Sequence, residues 1–225
     1  MTTPRDNILA KVRASLGRKS DDTARRAAVT DRLQRTPKGV VPRRGQLPQA
    51  EKLDLFCKMA EAVQASVARV ASTADVPQAV TDYLRQKNLP AHVRMGADAF
   101  LAEMPWSGQK NLTIESGRAK GSDEVGLSHA LAGVAETGTL VLASGPDNPT
   151  TINFLPEHHI AVIRAADIEG DMEAVWTRIR ATYGKGEMPR VVNMITGPSR
   201  SGDIEQTILL GAHGPRAVHI VVVEE

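Results

Sequence analysis

The sequence predicts an α/β fold: a largely parallel sheet flanked by helices, preceded by an N-terminal helical arm. Three observations predict it. From residue 112 onward, short apolar runs alternate with helical patterns at the interval of strand–helix–strand units. Several runs, such as Thr139-Leu-Val-Leu-Ala143 and Ala217-Val-His-Ile-Val-Val-Val223, are continuously apolar, as expected when helices cover both faces of a sheet. A hydrophobic fraction of 41% beside 24% charged residues excludes a chain disordered throughout, and 225 residues fit one or two domains.

Taken in order, Pro4 to Leu16 places Ile8, Leu9, Val12 and Leu16 at helical spacing and stops at Gly17, and a second basic helical stretch runs from Asp22 to Arg35. Pro37, Gly39, Pro42, Gly45 and Pro48 then make residues 36–48 a linker, so residues 1–48 form an arm and 49–225 the α/β domain. Within that domain the pattern predicts one long helix over 49–71, with Leu53, Phe56, Met59, Ala60, Val63 and Val67 on one face. A helix from Val76 to Lys87 and strands at Ala91–Met95 and Leu112–Glu115 follow. Next come an Ala-rich helix from Asp123 to Gly133, strands at 139–143 and 159–164, and an amphipathic helix from Ile168 to Tyr183. A strand at 190–195, a short helix at 204–210 and a last strand at 217–223 complete the reading.

Composition narrows the function. No apolar run reaches the roughly 18 to 20 residues that span a bilayer, and the start lacks the apolar stretch of a signal peptide. A cytoplasmic protein with no membrane partner is the expectation. Aromatics make up only 3%, which argues against stacking platforms for single-stranded nucleic acid. The single cysteine, Cys57, excludes an internal disulfide and cannot alone hold an iron–sulfur cluster or zinc. No cofactor is expected in this chain, and sequence spacing gives a metal site no support. Charge is uneven: residues 1–52 carry 13 Lys or Arg against 5 Asp or Glu, and the remainder 15 against 21. Such a basic arm can meet an anionic surface, and its plainer reading is a solvated, loosely ordered terminus.

Ligands of open α/β sheets bind where loops leave the carboxyl ends of strands. In Ile195-Thr-Gly-Pro-Ser-Arg-Ser-Gly-Asp-Ile-Glu205 an apolar strand gives way to small residues. Asp203 with Gln206 makes an N-capping pattern for the short helix expected next. Thr196, Gly197, Ser199, Arg200, Asp203 and Glu205 are candidates for holding a carboxylate or phosphate at that helix end, and Asp203 reads equally as a plain cap. A second candidate is Ala135-Glu-Thr-Gly-Thr139. Glu136 there reads either as a general base or nucleophile or as a solvated turn residue, with Thr137 and Thr139 as donors and Gly138 shaping the turn. His159 and His213 complete the candidates, and no histidine pair shows zinc-ligand spacing.

Four segments carry a resemblance. Ala135-Glu-Thr-Gly-Thr-Leu-Val-Leu142, Leu155-Pro-Glu-His-His-Ile160, Ile195 to Gln206 and Leu210-Gly-Ala-His-Gly-Pro-Arg216 resemble the motifs of the LUD-domain family, over about residues 110–225. The resemblance implies a fold like that of the sugar-phosphate isomerase and coenzyme A transferase group. It also implies a part in oxidising L-lactate to pyruvate beside iron–sulfur partner subunits, which would carry the clusters that a chain with one cysteine cannot. A small carboxylate is the implied ligand, with Glu136, His159 and His213 as catalytic candidates. Leu131 stands where relatives often have an acidic residue, and Thr150 where they often have Arg, which leaves Arg200 as the main anion partner. Two alternatives remain: a transferase or cyclo-ligase acting on an acyl or folate-like anion, and a non-catalytic scaffold.

Overall fold

A computed structural model describes residues 3–17, 22–204 and 207–225, with only the backbone at 203, 204, 207 and 208. Two compact units divide the chain at Val40/Val41. The first holds two helices. α1 (Pro4–Ser15) begins with a reciprocal Thr3–Asp6 capping box, and α2 (Thr23–Arg35) is capped by the Asp22 carboxylate. Neither helix buries a residue, because each has too few apolar side chains to need a core of its own.

The second unit is built on a six-stranded sheet in the order β1-β12-β7-β4-β2-β3, parallel at every pairing. Its strands are β1 (Ser66–Val70), β2 (His92–Met95), β3 (Thr113–Ser116), β4 (Val125–His129), β7 (His158–Arg164) and β12 (Ala217–Val223). Alternate residues of the two central strands serve opposite cores. Ile160 and Val162 of β7, with Val221 and Val223 of β12, pack against α4 (Val76–Gln86). Ala161, Ile163, Ile220 and Val222 face α3 (Gln49–Ala62), whose Phe56 is fully buried. Two-sided burial is why these strands read as unbroken apolar runs.

Behind α3 lies a second, mixed sheet, ordered β8-β5-β6-β9, from β5 (Ala132–Val134), β6 (Thr139–Ala143), β8 (Ile168–Glu169) and β9 (Val192–Ile195). Leu140 and Leu142 of β6 join the α3 core, while Val141 turns to the outer helix α7 (Met172–Tyr183) and meets Val175 and Ile179. Two short helices, α5 (Ala99–Ala102) and α6 (Thr151–Phe154), lie in the loops, and β10 (Arg200–Ile204) pairs antiparallel with β11 (Thr207–Leu210).

The structure corrects four expected helices. The helix predicted over 49–71 ends at Ala62: Gln64 adopts a left-handed φ of 69°, and the bonds Ala65 N–H to Ala60 O and Gln64 N–H to Glu61 O close a Schellman cap. Residues 66–70 then form β1. The Ala-rich helix predicted over 123–133 is instead β4 and the start of β5, where small residues are needed: a Cβ on Gly126 would lie 2.5 Å from the Ile152 carbonyl of α6, and one on Gly133 2.9 Å from Phe56 of α3. His129 accordingly lies on a strand. The helix predicted over 204–210 is replaced by β10 and β11, so Asp203 lies in a strand and not at a helix N-terminus; Glu205 and Gln206 fall outside the described residues. The helix predicted from Ile168 starts at Met172, after β8, with Asp171 as its N-cap.

Candidate functional site

The C-terminal end of α3 organises the candidate residues. Its Schellman cap turns the chain sharply into β1, and the Val63 carbonyl receives 2.5 Å from the Arg200 Nη2 donor. A guanidinium at that end meets the negative pole of the helix. Gly197 (φ 72°) passes so close that a Cβ there would lie 2.2 Å from the same carbonyl. Gly138 (φ 64°) shapes the turn between β5 and β6, and its Cβ would lie 2.3 Å from the Ala60 nitrogen. Both glycines are therefore demanded by left-handed backbone and by contact with helix backbone. Gly138, distant in sequence from Gly197 and Arg200, joins them at the last turn of a helix, whereas the sequence pattern pointed to a helix N-terminus at Asp203.

Beside this junction lies a cleft of about 290 Å³, lined by Asn153, Thr196, Gly197, Ser199, Arg200 and His213, with Ile195, Phe154 and Val218 supplying apolar wall. Ser199 ties the cleft's far side together: its Oγ accepts from the His213 N–H at 3.3 Å, and its own N–H donates to Pro215 O at 2.9 Å. Thr196 Oγ1 is one end of a hydroxyl chain, 2.7 Å from Thr139 Oγ1, which is 2.7 Å from Thr137 Oγ1. Phe154, His213 and Gly214 also border an adjoining compartment of about 480 Å³, whose remaining walls include Leu155, Leu210, Glu157 and Arg216.

Glu136 and His159 do not line this cleft. The Glu136 side chain is buried in the β5–β6 turn, with Oε2 lacking a hydrogen-bond partner among the described residues and Arg44 Nε 3.9 Å away. His159 is wholly enclosed in β7, and burial pushes its pKa down to about 4, so the ring is neutral near pH 7. Its Nε2 lies 2.5 Å from Ser128 Oγ. The side chains of Asp203 and Glu205 are outside the description.

Sequence reasoning missed Asn153 and the Val63 carbonyl. Asn153 is a buried amide on α6 two residues before the Leu155–Ile160 motif, and a polar residue between Ile152 and Phe154 was the available signal. No sequence signal marks a backbone carbonyl as a side chain's partner. Cys57 is half-buried against the α3 core, where burial pushes its thiol pKa up, and no group of described residues could hold a metal ion.

The cleft arises wholly within residues 53–223, the stretch that matches the model of the LUD domain. The chain is 40% identical over 102 residues to Lactate utilization protein C of Geobacillus sp. (strain WCH70), a match covering 44% of this chain and 42% of that one. It is 36% identical over 100 residues to the protein of that name from Shouchella clausii (strain KSM-K16), covering 44% of each. Against that of Bacillus subtilis (strain 168) the identity is 37% over 100 residues, covering 44% and 42%. The matched part thus spans less than half the length of these relatives. In fold the chain is similar to a crystal structure of a DUF162 family protein from Deinococcus radiodurans, with a TM-score of 0.58 at 21% identity over 79% of this chain and 99% of that one. With the family match extending from Leu53 to Val223, across both sheets and every residue that lines the cleft, the chain belongs to the LUD domain family.

Proposed function

We propose that this protein serves lactate utilisation, as a component of a system that oxidises L-lactate to pyruvate with iron–sulfur partner subunits, and that its cleft holds the small carboxylate. The observation that carries this reading is the 36 to 40% identity, over about a hundred residues, to chains named Lactate utilization protein C. The cleft's chemistry supports it. Arg200 offers a planar cation fixed at one N–H by Val63, leaving other donors of the fork for a carboxylate. Thr196 and Ser199 offer hydroxyls, and His213, exposed at the mouth, can take the proton released when a hydroxyl becomes a ketone. That oxidation removes two electrons and two protons, one proton passing to His213 and the other to solvent at the mouth of the cleft. A chain with one half-buried cysteine leaves the electrons to clusters on partner subunits.

Calorimetric titration with L-lactate and pyruvate tests this. Saturable binding that weakens about tenfold or more in Arg200→Ala is expected, as for loss of a charge-assisted pair. Binding that ignores Arg200, together with undiminished growth on L-lactate after the gene is deleted, would overturn the reading. The 480 Å³ compartment beside the cleft favours one second reading, a longer acyl or folate-like anion. The same titration with acyl thioesters and folates separates the two.

A further inference from the structure

Beneath the cleft runs a line of three buried polar side chains from three elements: His159 on β7, Ser128 on β4 and Asn153 on α6. Ser128 Oγ lies 2.5 Å from His159 Nε2 and 3.0 Å from Asn153 Oδ1. Asn153 is only 6% exposed, yet it forms part of the cleft wall. We propose that Asn153 is the cleft's reader of a ligand oxygen, its amide NH2 held toward the ligand by a one-way relay in which His159 donates to Ser128 and Ser128 donates to Asn153 Oδ1. The ligand named here, a small carboxylate or its keto oxygen, rests on the carboxylate reading of the cleft.

Proton counting gives the relay its direction. Ser128 owns one hydroxyl proton and so can donate to only one neighbour. If it donates to Asn153, His159 is the Nε2–H tautomer and its buried Nδ1, which has no partner, holds only a lone pair. If it donates to His159, Nδ1 becomes an N–H donor buried without an acceptor, and the Asn153 amide must turn over. Orphaned buried N–H groups are rarer than under-used acceptors, so the first arrangement prevails. A protonated ring would carry the same orphan N–H, and burial, which brings the His159 pKa to about 4, keeps the ring neutral. With Oδ1 taken by Ser128, the Nδ2 group has no protein partner among the described residues and supplies the cleft with two donors. The backbone N–H of Asn153, bonded to Thr150 O at 3.1 Å, and the fully buried Ile152 beside it fix α6 in place. The relay therefore makes His159 a positioning residue.

The ring tautomer of His159, read from imidazole nitrogen NMR shifts in the unchanged full-length protein at pH 6 to 8, tests the relay without any variant. The Nε2–H form is expected; the Nδ1–H form would overturn the direction and with it the proposal. Sodium pyruvate is then added. Selective shifts of the Asn153 side-chain amide signals, and a loss of affinity of about tenfold or more in Asn153→Asp, where an anionic acceptor replaces the donors, are expected. Undiminished affinity in Asn153→Asp would refute the donor role. Ser128→Ala should weaken pyruvate binding less than Asn153→Asp, because it frees the amide without removing it. If the unchanged protein binds neither pyruvate nor L-lactate, the carboxylate reading and the ligand named here fall together, while the tautomer still decides the relay on its own.

Discussion

Replacing Gly138 with alanine tests whether the β5–β6 turn is built against the end of α3. The added Cβ would sit 2.3 Å from Ala60 N, 2.5 Å from the Met59 carbonyl carbon and 2.7 Å from Ala60 Cα. All three are helix backbone, so no side-chain rotation relieves the clash and the turn or the helix must shift. Overpacking of this kind costs about 1 to 3 kcal/mol. Placing an L-residue at φ 64° adds about 1 to 2 kcal/mol. Gly186 provides the control: it is also left-handed, at φ 85°, but has open space around its missing Cβ, so Gly186→Ala should show only the dihedral cost. Urea unfolding followed by fluorescence of Trp106 and Trp176 gives both values. Gly138→Ala is expected to lose about 3 kcal/mol, or roughly 10 °C in Tm for a chain of this size, and clearly more than Gly186→Ala. Because Thr137 and Thr139 flank the turn and lead to Thr196, its pyruvate affinity should fall as well. Equal stabilities of the two variants would refute the packing argument.

Further outcomes follow from the buried ionisable groups. Burial lowers the pKa of both His159 and His219 to about 4 from an ordinary 6.5. Between those values the unfolded chain binds protons that the folded chain does not. Stability therefore falls as pH drops from about 6.5 to 4 and is unaffected by these groups above 7, with up to about 3 kcal/mol at stake per ring. Urea midpoints measured across this range should show the fall, and His219→Gln should make it shallower. Arg94 grips the buried Asp123 through Nε at 2.9 Å and Nη2 at 3.1 Å, which holds the Asp123 pKa below its usual value. Asp123→Asn should cost about 3 kcal/mol near pH 7 in chemical denaturation, and an unchanged midpoint would show that Glu115, 2.6 Å from Arg94, suffices as its counter-charge.

What could be read from the sequence alone was set by short-range physics. Unbroken apolar runs such as 139–143 and 217–223 admit one economical burial, a strand covered on both faces, and they appear at those bounds. Val76 to Gln86 repeats apolar residues at helical spacing and is a helix. Small residues at 196–200 marked a place of close approach, and the cleft is there. Tertiary structure decided the rest, because the deciding contacts join residues far apart in the chain. Gln64 in the left-handed region, where glycine or asparagine is the usual signal, cut one expected helix into a helix and a strand. Ala-rich residues 125–134 became strands because their small residues fit close against α6 and α3, a demand that local propensity does not contain. Pairing of Arg200 with Leu210 across a hairpin removed the helix end that Asp203 advertised. The sequence alone determined which residues are small, apolar or able to donate. Which of them share a cleft was decided in three dimensions: Gly197 and Arg200 line it because a glycine backbone and one long cation fit against the Val63 carbonyl at the end of α3, while Gly138 packs on the Met59–Ala60 backbone beside it.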